Sequence, residues 1–151
     1  MASLSTQQLA DRIEIDDLLT RYSTAIDSKN FDLLDTVFTP DALIDYSSAA
    51  PGVRGNRAEM KKWLSEVLGA FPVTQHLVSN KAISLEGDRA TGRTMFYNPM
   101  GWTEQESGEM KLFFVGGYYN DKFERTPEGW RIVERIEEST WVVGDRPPGV
   151  P

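Results

Sequence analysis

A chain of 151 residues fits one domain of ordinary size, long enough to bury a core without a disulfide or metal staple. It has no cysteine and one histidine, which excludes thiol nucleophiles, thiolate metal sites and disulfide frameworks. Sixteen Lys+Arg against 23 Asp+Glu give a net charge of −7, which argues against nucleic acid or an anionic membrane as partner, because both need a basic footprint.

Residues 1–8 are polar and lack the basic and apolar regions of a secretory leader. No run approaches the ~18 apolar residues of a membrane span, so a cytoplasmic location is expected. Ser5-Thr6-Gln7-Gln8 has the spacing of a capping box. Leu9, Ile13, Ile15, Leu19, Tyr22 and Ile26 then predict one apolar stripe on a helix, with Asp11, Arg12, Glu14 and Asp17 mostly off it. Asp27-Ser28-Lys29-Asn30 breaks the pattern, and residues 31–38 predict a short second helix that ends before Pro40. Residues 42–46 read as a strand. A loop marked by Pro51-Gly52 and Gly55 leads to a third helix over 57–70, burying Met60, Trp63, Leu64, Val67 and Leu68.

From Val73 the period turns extended. Residues 75–85 and 90–98 flank a Glu86-Gly87-Asp88 turn; after a polar loop at 101–109, residues 111–125 and 130–143 flank a turn at 126–129. Helices followed by a run of antiparallel strands define an α+β fold. A strongly curved sheet wrapped around the N-terminal helices encloses a cavity, the natural place for a ligand. Gly92 and Gly116-Gly117 sit inside strand patterns, where glycine marks bulges or bends. One domain is expected over 1–143. The Pro/Gly-rich tail, 144–151, leaves the sheet and either closes the cavity mouth, lies on a neighbouring copy or is disordered.

Few residues can carry chemistry. His76, the single histidine, is a usable base and acid near neutral pH, or else a structural residue satisfied in the sheet with Thr74, Val78 and Asn80 on its face. Asp27 ends the first helix; it is either a solvated cap or a carboxylate that holds His76 in one tautomer. Tyr22 lies on the apolar stripe, so its buried hydroxyl needs a partner. Asp41, Asp45, Glu104, Glu106 and Glu109 are scattered without histidines and read as solvated surface, not as a metal site. No phosphate-binding glycine loop or nucleophile elbow occurs, and no cofactor is expected. The aromatics Phe96, Tyr97, Trp102, Phe113, Phe114, Tyr118 and Tyr119 divide between core and cavity wall.

Ile15-Asp16-Asp17-Leu18-Leu19-Thr20-Arg21-Tyr22, Ala25-Ile26-Asp27, Phe31-Asp32-Leu33-Leu34 and Phe38-Thr39-Pro40-Asp41-Ala42 resemble the opening of SnoaL-like proteins, of the nuclear transport factor 2 fold superfamily. Thr74-Gln75-His76-Leu77-Val78-Ser79-Asn80, Ala90-Thr91-Gly92-Arg93, Gly117-Tyr118-Tyr119-Asn120-Asp121 and Gly129-Trp130-Arg131-Ile132 continue the resemblance in order. It covers residues 8–143 and is nearest to the branch of scytalone dehydratase, bile acid 7α-dehydratase and hexachlorocyclohexane dehydrochlorinase. The resemblance implies a cone-shaped α+β barrel with a mixed, mainly antiparallel sheet. It also implies an Asp27–His76 dyad, with Tyr22 acting on the substrate. Tyr46, Trp63, Phe96, Asn98, Phe113 and Tyr119 are the expected substrate-binding residues.

Three departures stand beside it. Asn98 replaces an aspartate of the bile acid enzyme, Ser139 replaces its arginine, and the second active-site histidine of scytalone dehydratase has no counterpart. The implied activity is a cofactor-independent lyase or isomerase, most simply a dehydratase, acting on a hydrophobic oxygenated ring compound such as a steroid, polyketide or aromatic metabolite. The alternative is a non-catalytic domain that binds small hydrophobic ligands or serves assembly. The convex outer face of such a sheet needs cover, which predicts a homo-oligomer, a trimer or a dimer.

Overall fold

A computed structural model describes residues 3–149. Helix α1 (Thr6–Asp27) opens on Ser5, whose side chain accepts from Gln8 N–H while the Gln8 side chain accepts from Ser5 N–H, the reciprocal box its sequence predicts. It buries Asp11, Ile15, Leu18, Leu19, Tyr22, Ala25 and Ile26. Leu9 and Ile13, expected on that stripe, are instead exposed at 50% and 63%. At about 100° per residue they lie across the helix from Ile15 and Tyr22. Asp11 takes their place on the buried side, where it accepts from Gln7 and Trp130 and pairs with Arg125.

The chain reverses at Lys29, whose φ of 60° is left-handed, and makes a 3-10 helix over Phe31–Thr36. Strand β1 (Phe38–Asp45) then starts earlier than expected and runs through Pro40. Pro40 lacks a ladder donor, but it sits where the register between Phe38 and Leu43 shifts, so no regular pair is lost. The short β2 (Arg54–Gly55) precedes α2 (Arg57–Leu68), which begins on a second capping box between Asn56 and Glu59 and buries Met60, Leu64 and Leu68.

The remaining strands are β3 (Val73–Thr74), β4 (Leu77–Glu86), β5 (Arg89–Thr103), β6 (Met110–Thr126) and β7 (Gly129–Gly144). The seven strands form one sheet in the order β2-β1-β7-β6-β5-β3, with β4 also on β5. All pairs are antiparallel except β1–β7, which is parallel, so the sheet is mixed. It curls around α1 and α2 as a half-barrel. Its core joins Ile15, Leu18, Leu19 and Ile26 of α1 to Phe96, Tyr119, Phe123, Trp130 and Ile132 of the sheet.

Two bulges in β7 matter for the site. Register shifts at Lys122/Phe123 and at Gly116/Gly117 each insert one β7 residue, Val133 and Thr140. The inward positions therefore run Trp130, Ile132, Arg135, Glu137, Ser139 and Val142, changing phase twice. Gly117 belongs to this geometry, because a Cβ there would lie 2.2 Å from the Glu138 carbonyl oxygen. Gly92 does not mark a bulge. It is small because Ile83 and Phe123 close over it, and a Cβ at this position would stand 2.7 and 2.9 Å from them. No helix among the described residues is long and apolar enough to cross a membrane.

Candidate active site

His76 sits in the two-residue gap between β3 and β4, not within a continuous strand as its β-rich surroundings suggest. The break follows from where its backbone N–H goes. It donates to Asp27 Oδ2 at 2.7 Å, across 49 residues, instead of to a neighbouring strand. Asp27 is the last residue of α1, and Lys29 ties the same corner down through a 2.6 Å bond from Nζ to Thr74 Oγ1. The second carboxylate oxygen, Oδ1, lies 2.7 Å from His76 Nδ1. A carboxylate only accepts, so Nδ1 carries the proton and Nε2 is the nitrogen left for a ligand. Burial works against the Asp27 carboxylate, but the hydrogen bonds from the His76 ring and backbone outweigh it and hold its pKa below the usual range.

His76 is 8% exposed and forms part of the wall of a cavity of about 480 Å³. That size suits a small organic ligand. The apolar wall comes from Trp63, Leu64, Val67 and Leu68 of α2, with Phe71, Met100, Phe113, Val115 and Val142. Trp63 and Val67 are half-buried because their remaining surface faces this space. Asn98 reaches the cavity from β5 with its Oδ1 buried and without a protein partner, an acceptor left open to a ligand. Tyr22 and Tyr46 share a 2.9 Å hydrogen bond between their hydroxyls, which uses one of the two protons and leaves the other to donate. Burial raises the pKa of both phenols, and that of Tyr119, so all three act as donors, not bases.

The expected substrate-binding residues separate here. Tyr46, Trp63, Asn98, Phe113 and Tyr119 line the cavity together with Tyr22 and His76. Phe96 does not; it stacks behind Tyr119 at 4.5 Å and belongs to the core. Tyr97 and Phe114 stack with each other on the outer face, and Arg93 covers Tyr118 there. Beneath the cavity floor, Arg135 is fully buried, paired bidentately with Asp121 at 2.8 Å, and sandwiched by the rings of Tyr22 and Tyr119 at 4.2 and 4.1 Å. Burial opposes its charge, yet Asp121 overcomes this and raises its pKa further.

Glu137 is the residue that sequence reasoning missed. It lines the cavity from β7, its Oε1 accepts from Ser139 Oγ at 2.9 Å, and it has no ion-pair partner among the described residues. Burial pushes its pKa from 4.5 to about 7, against the hydrogen bond from Ser139 and the charge of Arg135. In sequence it sits among Glu134, Arg135, Glu138 and Ser139, which look like a solvated strand face. Only the bulge at Val133 turns it inward. Ser139 lines the cavity beside it. At the mouth, the segment after β7 is fastened by Trp102 Nε1 donating to the Asp145 carbonyl at 2.6 Å, and by Asp145 N–H donating to the Leu112 carbonyl at 3.1 Å. Arg146 and Gly149 then pass along the cavity rim, while residues 150 and 151 lie outside the described residues. Among the described residues no group of three or more His, Cys, Asp or Glu could hold a metal ion.

A SnoaL-like domain model matches residues 7–136. The uncharacterized protein Rv2910c of Mycobacterium tuberculosis is 46% identical over 134 residues, covering 89% of this chain and 88% of that protein. Among solved structures, the Kfla4162 protein from Kribbella flavida superposes with a TM-score of 0.82 at 26% identity, over 89% of this chain and 93% of its own. A type 2 hexachlorocyclohexane dehydrochlorinase (LinA) shares the fold with a TM-score of 0.77 at 17% identity, over 94% of this chain and 97% of its own.

Proposed function

The chain belongs to the SnoaL-like domain family, and from that premise we propose that it is a cofactor-independent lyase or isomerase, most simply a dehydratase. The observation that carries this reading is the Asp27–His76 pair, joined twice at 2.7 Å and set in the wall of an apolar cavity. Asp27 holds the proton on Nδ1, so Nε2 is the base that takes a proton beside a carbonyl or a leaving group. Tyr22, through the hydroxyl pair with Tyr46, donates to the oxygen on which charge develops, and Asn98 orients a hydroxyl through its open Oδ1. The substrate is a small hydrophobic ring compound carrying oxygen, because the wall is mostly apolar and its polar groups are few, neutral donors or acceptors apart from His76, Glu137 and Arg146 at the rim. The hexachlorocyclohexane dehydrochlorinase removes a proton and a chloride, and elimination from an oxygenated ring is the corresponding reading here.

The same proposal includes a single domain over 1–143 followed by the Pro/Gly-rich tail 144–151, a homo-oligomer (trimer or dimer) and a cytoplasmic location. The test is turnover on a panel of β-hydroxy ring ketones by the wild type and His76→Asn, with circular dichroism to show that both are folded. The reading requires conversion by the wild type and its loss, by about 10²–10⁴-fold, in the variant. Equal turnover in a folded His76→Asn protein overturns it. A second reading, ligand binding without chemistry, is favoured by Asn98 and Ser139 standing where the bile acid enzyme resemblance leads one to expect an aspartate and an arginine. Saturable binding of ring ketones with no conversion of any of them by the wild type would establish that second reading.

A further inference from the structure

The cavity wall carries one carboxyl group, and the Asp27–His76 mechanism does not use it. Glu137 and His76 are both lining residues of the same cavity, on β7 and in the gap between β3 and β4 respectively. Apart from these two and Arg146 at the rim, the cavity-lining side chains are uncharged at neutral pH. Glu137 spends Oε1 on Ser139 and leaves Oε2 without a protein partner among the described residues. We propose that Glu137 is a second proton-transfer group of this site, a protonated carboxyl that donates to the substrate oxygen while His76 acts on carbon; this rests on the reading of His76 as the base.

Two titratable groups in one largely apolar cavity, one oriented as a base by a carboxylate and one whose proton burial makes harder to lose, divide the work of an elimination. His76 Nε2 takes the proton from carbon, the C–H electron pair becomes the new double bond, and the C–O bond breaks with its own pair. The proton of Glu137 goes to the departing hydroxyl, which leaves as water. The proton on His76 then returns to solvent, and Glu137 takes one up, so the cycle closes without any oxidant or further reactant. His76 is suited to that exchange because it also lines an outer groove with Thr20, Ser23, Thr24, Asp27 and Ser28. The groups facing Glu137 are Tyr22 from α1, Tyr46 just after β1, Tyr119 from β6 and Arg135 on its own strand, with His76 and Arg146 elsewhere on the lining. The phenols stay neutral, and the charge of Arg135, which is paired with Asp121, favours the ionised form of Glu137 without outweighing burial.

The substrate class sharpens accordingly. A neutral ligand with a carbonyl or hydroxyl at the Glu137 end fits this cavity, and a carboxylate at that end does not, because two carboxyl groups would then share one site. The probe is 1-tetralone, a two-ring ketone whose only polar group accepts hydrogen bonds. Infrared difference spectra of the bound ketone are recorded at pH 5.5 and 8.5 for the wild type, Glu137→Gln and His76→Asn, with binding followed by tryptophan fluorescence, to which Trp63 of the cavity wall contributes. The wild type shows a lower carbonyl frequency at pH 5.5 than at 8.5, together with a protonated carboxyl band that vanishes at the higher pH. Glu137→Gln loses the carboxyl band and the pH dependence, while His76→Asn retains both. A pH dependence that survives in Glu137→Gln overturns the proposal, as does failure of the wild type to bind the ketone at either pH. If that dependence disappears in His76→Asn instead, the proton belongs to His76; the Asp27–His76 reading then stands and the role of Glu137 falls.

Discussion

At the residue scale, the two hydrogen bonds of Asp27 make its replacement by asparagine more disruptive than loss of charge alone. The His76 backbone N–H can only donate, so in Asp27→Asn the amide carbonyl oxygen must face it. The amide NH2 then meets the ring at Nδ1, where it can only donate, and this forces the imidazole proton onto Nε2. The base nitrogen is blocked although the geometry is preserved. Long-range proton–nitrogen NMR of the single histidine reads this directly: the neutral ring carries its proton on Nδ1 in the wild type and on Nε2 in Asp27→Asn. Turnover should fall by about 10²–10⁴-fold with little change in the folded structure. An unchanged tautomer in the variant would show that the carboxylate does not set it.

At the element scale, the bulged β6–β7 ladder positions Glu137 and Ser139, and Gly117 is the position on which it depends most closely. A Cβ at Gly117 would meet the Glu138 carbonyl oxygen at 2.2 Å and the Phe96 ring at 2.8 Å. Neither the backbone oxygen nor the ring stacked on Tyr119 can move far, so Gly117→Ala overpacks the sheet by about 1–3 kcal/mol. Thermal melts should show a fall of several degrees, because each 1 kcal/mol is worth about 2–4 °C in a chain of this length. What was legible in the sequence follows from the same strand geometry. In β5 and β6 the inward residues alternate without interruption, and the cavity places that the family resemblance implies for Asn98, Phe113 and Tyr119 agree with that period of two. In β7 two inserted residues change the phase, and the strand pattern therefore gave Glu137 no place in the cavity. Phe96 keeps the correct phase but lies deeper than the cavity wall, a depth that periodicity does not encode. Asp27 and His76 could be paired only through the family resemblance, since 49 residues separate them and no local pattern joins them.

At the scale of the whole molecule, the outer sheet face carries Leu77, Tyr97, Phe114, Trp141 and Val143 as one apolar area. Tyr97 contacts Phe114 and Trp141 at ring distances of 6.0 and 5.9 Å, and pairing sets Leu77 opposite Tyr97 and Val143 opposite Phe114. An exposed patch of that kind is unusual for a monomer. Light scattering after size exclusion should give a multiple of the chain mass for the wild type and a smaller species for Trp141→Arg; a monomeric wild type would remove the oligomer from the proposal.

The folded molecule as a whole also feels the protonation of its cavity. For Glu137 the folded-state pKa is raised from 4.5 to about 7 by burial. Between those values the unfolded chain releases a proton that the folded protein keeps, so stability falls as pH rises through this window and is flat above it. The full effect is at most about 3 kcal/mol, at about 1.4 kcal/mol per pH unit. Asp27 acts in the opposite direction at lower pH: its folded pKa is depressed, so its contribution is present above the unfolded value of 3.8 and is lost as pH falls through the folded one. Glu137→Gln cannot ionise and escapes the loss at higher pH. Urea unfolding at pH 5 and pH 8 should therefore show the variant gaining on the wild type by up to about 3 kcal/mol as pH rises. A difference that stays constant across that range would mean that the Glu137 carboxylate is as well solvated as a surface acid, and the cavity would then be wet at its β7 wall.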